Sequence, residues 1–171
     1  RFASPPIRNA GTLGGNIANG SPIGDSMPVL IVMGTTLVLR KGKRTREVPL
    51  DAFYLAYQKT SLEPGEFVER IRIPAAPRGG LLRTYKISKR FDQDISAVCG
   101  AFRIMLDRGV IAEARIAFGG VAATPKRAAA AEKALAGREW DEAAAQAAMA
   151  ALAGDYAPIT DMRASGAYRR S

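Results

Sequence analysis

"RNAGTLGGNIANGSPIGDSMPVL", residues 8–30, places glycines at 11, 14, 15, 20 and 24 ahead of the first apolar run of the chain. A corner needs one or two such residues, so their density asks for a further reason. Glycine lets a backbone approach a ligand with no Cβ in the way and leaves its N–H available as a donor. Gly11, Gly14 and Gly15, with Thr12 and Asn16 among them, can present such donors to a phosphate or a flavin edge. A plain structural turn uses the same residues. "GTLGG" is neither the G-x-G-x-x-G dinucleotide fingerprint nor a phosphate loop, which ends in Lys-Ser or Lys-Thr. Asp25 reads as the N-cap of a short helix over 26–33 that Gly34 ends. A carboxylate at that point can also accept from a ribose hydroxyl.

Downstream, "TTLVLRKGKRTREVPL" (35–50) reads as a hairpin turning at Gly42, and "DAFYLAYQ" (51–58) as a helical turn or two. In "EFVERIRIP" (66–74), Phe67, Ile71 and Ile73 suggest a half-buried strand that Pro74 ends. Pro74, Pro77, Gly79 and Gly80 then supply the best boundary in the chain, dividing it into 1–76 and 80–171. Three strands follow, in 81–88, 95–106 and 110–122, with Asp107-Arg108-Gly109 as a tight turn. Thr124 reads as a cap with Pro125 in the first helical position, and that helix runs to Gly137. Asp141 caps a second helix that stops at Gly154, and a third starts near Thr160. Tyr85 and Trp140 read as core residues. The expected class is α+β: a small mixed unit, then a three-stranded antiparallel sheet covered by helices.

Composition limits the chemistry. The longest apolar stretch, Pro28 to Met33, is far too short to cross a bilayer, so no membrane partner is expected. There is no histidine, which removes Ser-His-Asp and Cys-His catalysis and the commonest zinc ligand from this chain. The single cysteine, Cys99, excludes a disulfide or an all-cysteine iron–sulfur cluster here and fits a reducing cytoplasm. Between Val98 and Gly100 it reads as a buried structural thiol. No metal ligands and no catalytic acid or base are assigned. The net charge of +9 suits nucleic acid, an anionic cofactor or an acidic partner. Its densest cluster, Arg40, Lys41, Lys43, Arg44 and Arg46, falls on the hairpin tip, where solvated turn charges are the simple reading. A basic nucleic-acid-binding module is the non-enzyme alternative; without aromatics among those charges it lacks a stacking platform. The chain opens abruptly on Arg1-Phe2 and closes on Arg169-Arg170-Ser171, and reads as a piece of something longer.

The opening string resembles the second half of the flavin domain in the molybdenum-containing xanthine dehydrogenases and oxidases. The resemblance continues in "FYLAYQKTSLEPGEFVERIRIP" (53–74), "YKISKRFDQDISAVCGAFRI" (85–104) and "ARIAFGGVAATPKRA" (114–128), and so covers essentially the whole chain in order. Carbon monoxide dehydrogenase flavoproteins share the T-x-G-G turn, but "NGSPIGD" is nearer the xanthine type. The resemblance implies the second half of an FAD-binding domain of the para-cresol-methylhydroxylase (PCMH) type over 1–76. A CO dehydrogenase flavoprotein C-terminal domain would follow over 80–171. It further implies a pyrophosphate loop and two [2Fe–2S] clusters upstream of Arg1, and a molybdopterin-binding large subunit in an α2β2 hetero-oligomer. Electrons would pass from the clusters through FAD to NAD+ during purine hydroxylation in the cytoplasm. The flavoprotein of an aldehyde or carbon monoxide dehydrogenase is the alternative within the superfamily.

Carried over by position, the resemblance makes Phe2 an aromatic contact to FAD and Thr12 and Asn16 polar contacts. Asp25 becomes a further contact, Val68 an apolar one and Lys86 a basic one. Arg90 to Asp94 matches a loop beside the flavin ring whose charges tune dehydrogenase against oxidase behaviour. Phe91 and Gln93 stand there in place of more polar residues. Each position has a plainer reading: Phe2 as core filling, Asp25 as a cap alone, Lys86 as a solvated strand residue, and Arg90 with Asp94 as an exposed ion pair.

Overall fold

The computed structural model describes residues 3–75, 79–91 and 93–171. Three short helices come first: α1 (Pro5–Ala10), α2 (Leu13–Asn19) and α3 (Ser26–Val32). Proline opens α1, and the Thr12 hydroxyl caps α2 by accepting from Gly15 N at 3.0 Å. Gly20 ends α2 in the left-handed region at φ +63°. In α3, Met27, Pro28, Leu30, Ile31 and Val32 are all buried. A helix that apolar must be covered on more than one side, and two sheets supply the cover.

The first sheet has the order β2–β1–β5, with β1 (Thr36–Lys41), β2 (Arg44–Pro49) and β5 (Phe67–Arg72) all antiparallel. The hairpin turns at Gly42, φ +58°, where the sequence predicts it. Segment 51–58 is not helical beyond a 3₁₀ turn, Leu50–Ala52. It enters a second small hairpin, β3 (Tyr54–Ala56) with β4 (Lys59–Thr60). Tyr54 explains the difference: its ring is buried and its hydroxyl donates to Ile17 O at 3.1 Å, which anchors the segment to α2. The predicted faces of β5 are also shifted. Its register against β1 moves between Val38↔Arg70 and Leu39↔Val68, leaving Glu69 as a bulge. Val68 and Ile71 therefore both pack on the core, while Phe67 and Ile73 are 54% and 45% exposed.

The second sheet has four strands rather than three, in the order β6–β7–β8–β9: β6 (Leu81–Ile87), β7 (Val98–Asp107), β8 (Val110–Gly119) and β9 (Lys126–Arg127). The turn at Arg108 and Gly109, φ +50° and +85°, forms where expected. The fourth strand occupies what the sequence suggests is the first turn of a helix. Lys126 and Arg127 pair with Phe118 and Ala117, and α4 (Ala129–Leu135) begins only after Ala128. The buried Glu132 carboxylate causes this: it accepts from Ile116 N at 2.8 Å and from Arg127 Nε at 3.0 Å, holding Arg127 against the sheet edge. Thr124 and Pro125 belong to the connection.

Asp141 caps α5 (Glu142–Asp155) as expected, accepting from Ala144 N at 2.8 Å. The last helix, α6 (Gly166–Arg170), is capped by Ser165 and does not start near Thr160. Residues 161–164 instead fold around the Asp161 carboxylate, which accepts from both Arg163 and Arg169. Helices α4 and α5 cover one face of the second sheet through Ile104, Ile111, Ile116 and Leu135. Helix α3 lies on the other face against Ala101 and Ala117, so the first core runs on into the second sheet. Neither Trp140 nor Tyr85 is a core residue; they are 51% and 59% exposed. Trp140 sits in the link between α4 and α5, and Tyr85 meets Phe102 edge-on at 6.0 Å on the edge strand β6. Among the described residues no helix is long and apolar enough to cross a membrane.

Candidate cofactor site

The glycines of the opening string have separate explanations. A Cβ on Gly15 would lie 2.9 Å from the Thr12 hydroxyl that caps α2, and one on Gly24 would strike the Met27 side chain. Gly11 packs on Ile7 O, to which its N–H donates at 2.8 Å. Gly14 alone in this turn has none of the described residues within 4 Å of a Cβ position. Its missing side chain clears space outside the chain.

Two residues on, Asn16 Oδ1 accepts from Ser26 Oγ at 2.5 Å, tying α2 to the start of α3. Beside Ser26 is Asp25, which does not cap α3 with its side chain. An N-cap carboxylate accepts from the second or third helical N–H. The third residue here is Pro28, which has no N–H. The carboxylate turns instead to the second sheet. Lys86 Nζ donates to Oδ2 at 2.7 Å and Ser96 Oγ donates to Oδ1 at 2.5 Å. Lys86 is consequently not a solvated strand residue. Along β6 the side chains of Leu82 and Lys86 are partly covered while Tyr85 and Ile87 are exposed, and Lys86 also donates to Asp94 O at 2.6 Å. The Lys86 and Asp25 side chains are only 18% and 12% exposed.

Asp94 folds the following loop. Its carboxylate accepts from Arg90 N at 2.8 Å and from Ile95 N at 2.9 Å. The Arg90 N–H, then that of Ile95, holds the carboxyl below its ordinary range despite partial burial. The Arg90 guanidinium lies 3.5 Å from Asp94 Oδ1 with its side chain 73% exposed, so that ion pair is weak. Phe91 is 85% exposed. Val68 packs against the first core from β5, which touches α2. Phe2 lies outside the described residues. Asp25, Lys86 and Asp94 are thus brought together, with Asn16 joined to them through Ser26. Ser96 belongs to the same cluster, and no motif in the sequence singles it out.

A cavity of about 250 Å³ opens here, lined by Asp25, Ser26, Val29, Thr84, Tyr85, Lys86 and Cys99. Cys99 is buried, and burial followed by the Asp25 charge pushes its thiol up to about 12. It stays protonated at neutral pH and acts as a structural thiol. A carboxylate has about four acceptor positions and an ammonium three donors. Among the described residues two of each are used, leaving acceptors and a donor for hydroxyls and carbonyls. That set fits the sugar, ribityl or ring-edge groups of a flavin nucleotide. The cavity is smaller than the ~300–1,000 Å³ of a whole ligand pocket, so it accommodates part of such a molecule. Among the described residues no group of three or more His, Cys, Asp or Glu could hold a metal.

The basic hairpin proves to be an ion-pair ladder. Arg40 meets Glu69 at 2.8 Å, Arg44 meets Glu63 at 2.5 Å, and Arg46 meets Glu66 at 2.8 Å. Its arginines are matched by acids from within the chain.

Comparison with known proteins identifies the family. Residues 83–171 match the CO dehydrogenase flavoprotein C-terminal domain, and residues 1–76 match the FAD binding domain in molybdopterin dehydrogenase. The nicotinate hydroxylase of Emericella nidulans is 34% identical over 177 residues, covering 99% of this chain and 13% of that protein. A xanthine dehydrogenase FAD-binding subunit from Escherichia coli is 32% identical over 169 residues, covering 98% of this chain and 58% of the subunit. The carbon monoxide dehydrogenase of Hydrogenophaga pseudoflava, solved without the Mo-pyranopterin moiety of its cofactor, superposes with a TM-score of 0.94 at 34% identity. That superposition covers 99% of this chain and 58% of the solved chain. The chain therefore spans between about an eighth and three fifths of these relatives.

Proposed function

The chain belongs to the CO dehydrogenase flavoprotein family, joining its C-terminal domain to part of an FAD-binding domain, and we propose that it serves as the FAD-binding, electron-transfer part of a molybdenum-containing xanthine dehydrogenase. Bound FAD supplies the redox chemistry; the residues of this chain hold and orient it. In this reading Phe2 gives FAD an aromatic contact and Thr12 and Asn16 polar ones, Asp25 accepts from flavin-nucleotide hydroxyls, Lys86 donates, and Val68 gives an apolar contact. Arg90 and Asp94 shape the loop beside the ring. Lys86 brings its charge already paired with Asp25, so Arg90 is the more exposed cation available to a reduced, anionic flavin. The partners are a molybdopterin-binding large subunit and [2Fe–2S] clusters in an α2β2-type enzyme of the cytoplasm, with NAD+ as the electron acceptor. The chain is divided at about residues 76–80.

The observation that carries the reading is the fixed Asp25 carboxylate beside the 250 Å³ cavity, in a chain whose family match is to an FAD-binding domain. A carbon monoxide dehydrogenase flavoprotein is the second reading, favoured by the TM-score of 0.94. The relatives' names carry nicotinate, xanthine and carbon monoxide, so substrate choice is tested on the assembled enzyme. The full-length FAD-binding subunit is expected to show a flavin spectrum that NADH bleaches, and the assembled enzyme to turn over xanthine. Turnover of carbon monoxide or nicotinate instead transfers the reading to that branch. A colourless subunit that cannot be loaded with FAD overturns the flavin reading itself.

A further inference from the structure

We propose that Ser96 is a positioning residue of this site, acting on FAD through Asp25; the proposal rests on the FAD reading above. Ser96 is 1% exposed, and its hydroxyl donates to Asp25 Oδ1 at 2.5 Å. It is absent from the lining of the cavity, whereas Asp25 and Lys86 are part of it. Ser96 therefore reaches a ligand there only through the carboxylate it holds.

The two donors to Asp25 differ in kind. Lysine is a point charge on a flexible four-carbon stem and tolerates many carboxylate orientations. A buried serine has one short rotor, and its bond fixes direction. Together they set the plane of the Asp25 carboxylate and with it the direction of the lone pairs still open to a ligand. Asp25 has little else to hold it, since Pro28 removes one of the two N–H groups it could have capped. Lys86 and Ser96 also stand at the two stems of the β6–β7 connection, which Ala97 N closes by donating to Ile87 O at 2.8 Å. The orientation of Asp25 is thereby coupled to the loop carrying Arg90 and Asp94.

The test uses the full-length FAD-binding subunit, stripped and titrated with FAD by flavin fluorescence. Ser96→Ala removes a hydrogen bond to a charged group, and FAD is expected to bind about tenfold more weakly. Because Ser96 acts through Asp25, the double variant Asp25→Asn with Ser96→Ala is expected to bind no more weakly than Asp25→Asn alone. A merely structural serine would instead give additive losses. Ser96→Cys, near-isosteric with a weaker donor, is expected to fall between serine and alanine, and it replaces the alanine variant if that does not fold. Unchanged FAD affinity in Ser96→Ala, or additive losses in the double variant, overturns the proposal alone. A wild-type subunit that cannot be loaded overturns the FAD reading and this proposal together.

Discussion

Gly14 and Gly15 adjoin in one helical turn yet differ in what a side chain would meet, open space at one and the capping hydroxyl of Thr12 at the other. Alanine at Gly14 meets none of the described residues within 4 Å. It should stabilise the apoprotein by about 0.5–1 kcal/mol through helix propensity, while weakening FAD binding. Alanine at Gly15 crowds the Thr12 hydroxyl, so the propensity gain is offset by loss of a cap worth about 0.5–2 kcal/mol. Thermal melts of both apoproteins, paired with FAD titrations, check this; a Gly14→Ala subunit that binds FAD normally shows that FAD does not use this open space. Asp25→Asn has a different outcome from that of a simple cap. Asparagine caps about as well as aspartate, but here the change leaves a largely buried Lys86 without its counter-ion. It should lower stability by about 1–3 kcal/mol, read as a depressed melting temperature even without FAD. The residue types of the cluster were legible in the sequence for Asn16, Asp25 and Lys86. Their mutual contacts were not, because Asp25 and Lys86 are far apart in the chain and helix patterns report only near neighbours. Pro28 was the visible sign against the cap. Ser96 had none, since a serine after a loop has many uses.

At the scale of elements, the failures in reading share one cause: a side chain pairing across elements overrides a local period. The bulge at Glu69 turns an apparent alternation of Phe67, Ile71 and Ile73 into a face shared by Val68 and Ile71. The Glu132 carboxylate keeps Arg127 in a strand, so helix α4 starts later than its alanines suggest. Where the turn chemistry is local, as at Gly42, Gly109 and Asp141, sequence and structure agree. The hairpin ladder makes a prediction at this scale. The Arg46 guanidinium, together with the Glu63 N–H, holds the Glu66 carboxyl down to about 2. A depressed carboxyl binds fewer protons folded than unfolded, so its contribution is complete above the unfolded value and is lost as pH falls through the folded one. That places the loss between about pH 4.3 and about pH 2. Glu66→Gln should lower the melting temperature at pH 7 and flatten its fall across that window, measured by calorimetric scans at stepped pH.

For the whole molecule, charge and the C-terminal fastening matter most. The arginines of the hairpin are balanced by Glu63, Glu66 and Glu69, so the +9 charge does not condense into a nucleic-acid groove there. Filter binding to single-stranded DNA should be weak and vanish by physiological salt; tight binding with a steep salt slope would support the nucleic-acid alternative. Arg169, whose side chain is fully buried, donates to Ala97 O at 3.1 Å and to both Asp161 oxygens at 2.8 and 2.9 Å. It fastens α6 to the base of the β6–β7 connection. Arg169→Met removes hydrogen bonds to Ala97 O and Asp161 while Asp161 keeps Arg163, and should cost about 1–3 kcal/mol, with protease cutting after 156 accelerated. Helix α3 has a further consequence. It is packed from one side by the first sheet and from the other by Ala101 and Ala117 of the second, and a Cβ on Gly119 would already crowd Pro22 and Pro28 at 3.3 Å. A seam drawn in the sequence between residues 75 and 80 thus does not part the core. A chimera that crosses over at that seam, taking residues 1–75 from one parent and 80–171 from another, inherits a helix from one lineage and the floor it rests on from the other. Such hybrids should mis-seat α3 unless Ala101, Ala117 and Gly119 travel with it, which makes those three small residues, and not the linker, the practical unit of recombination.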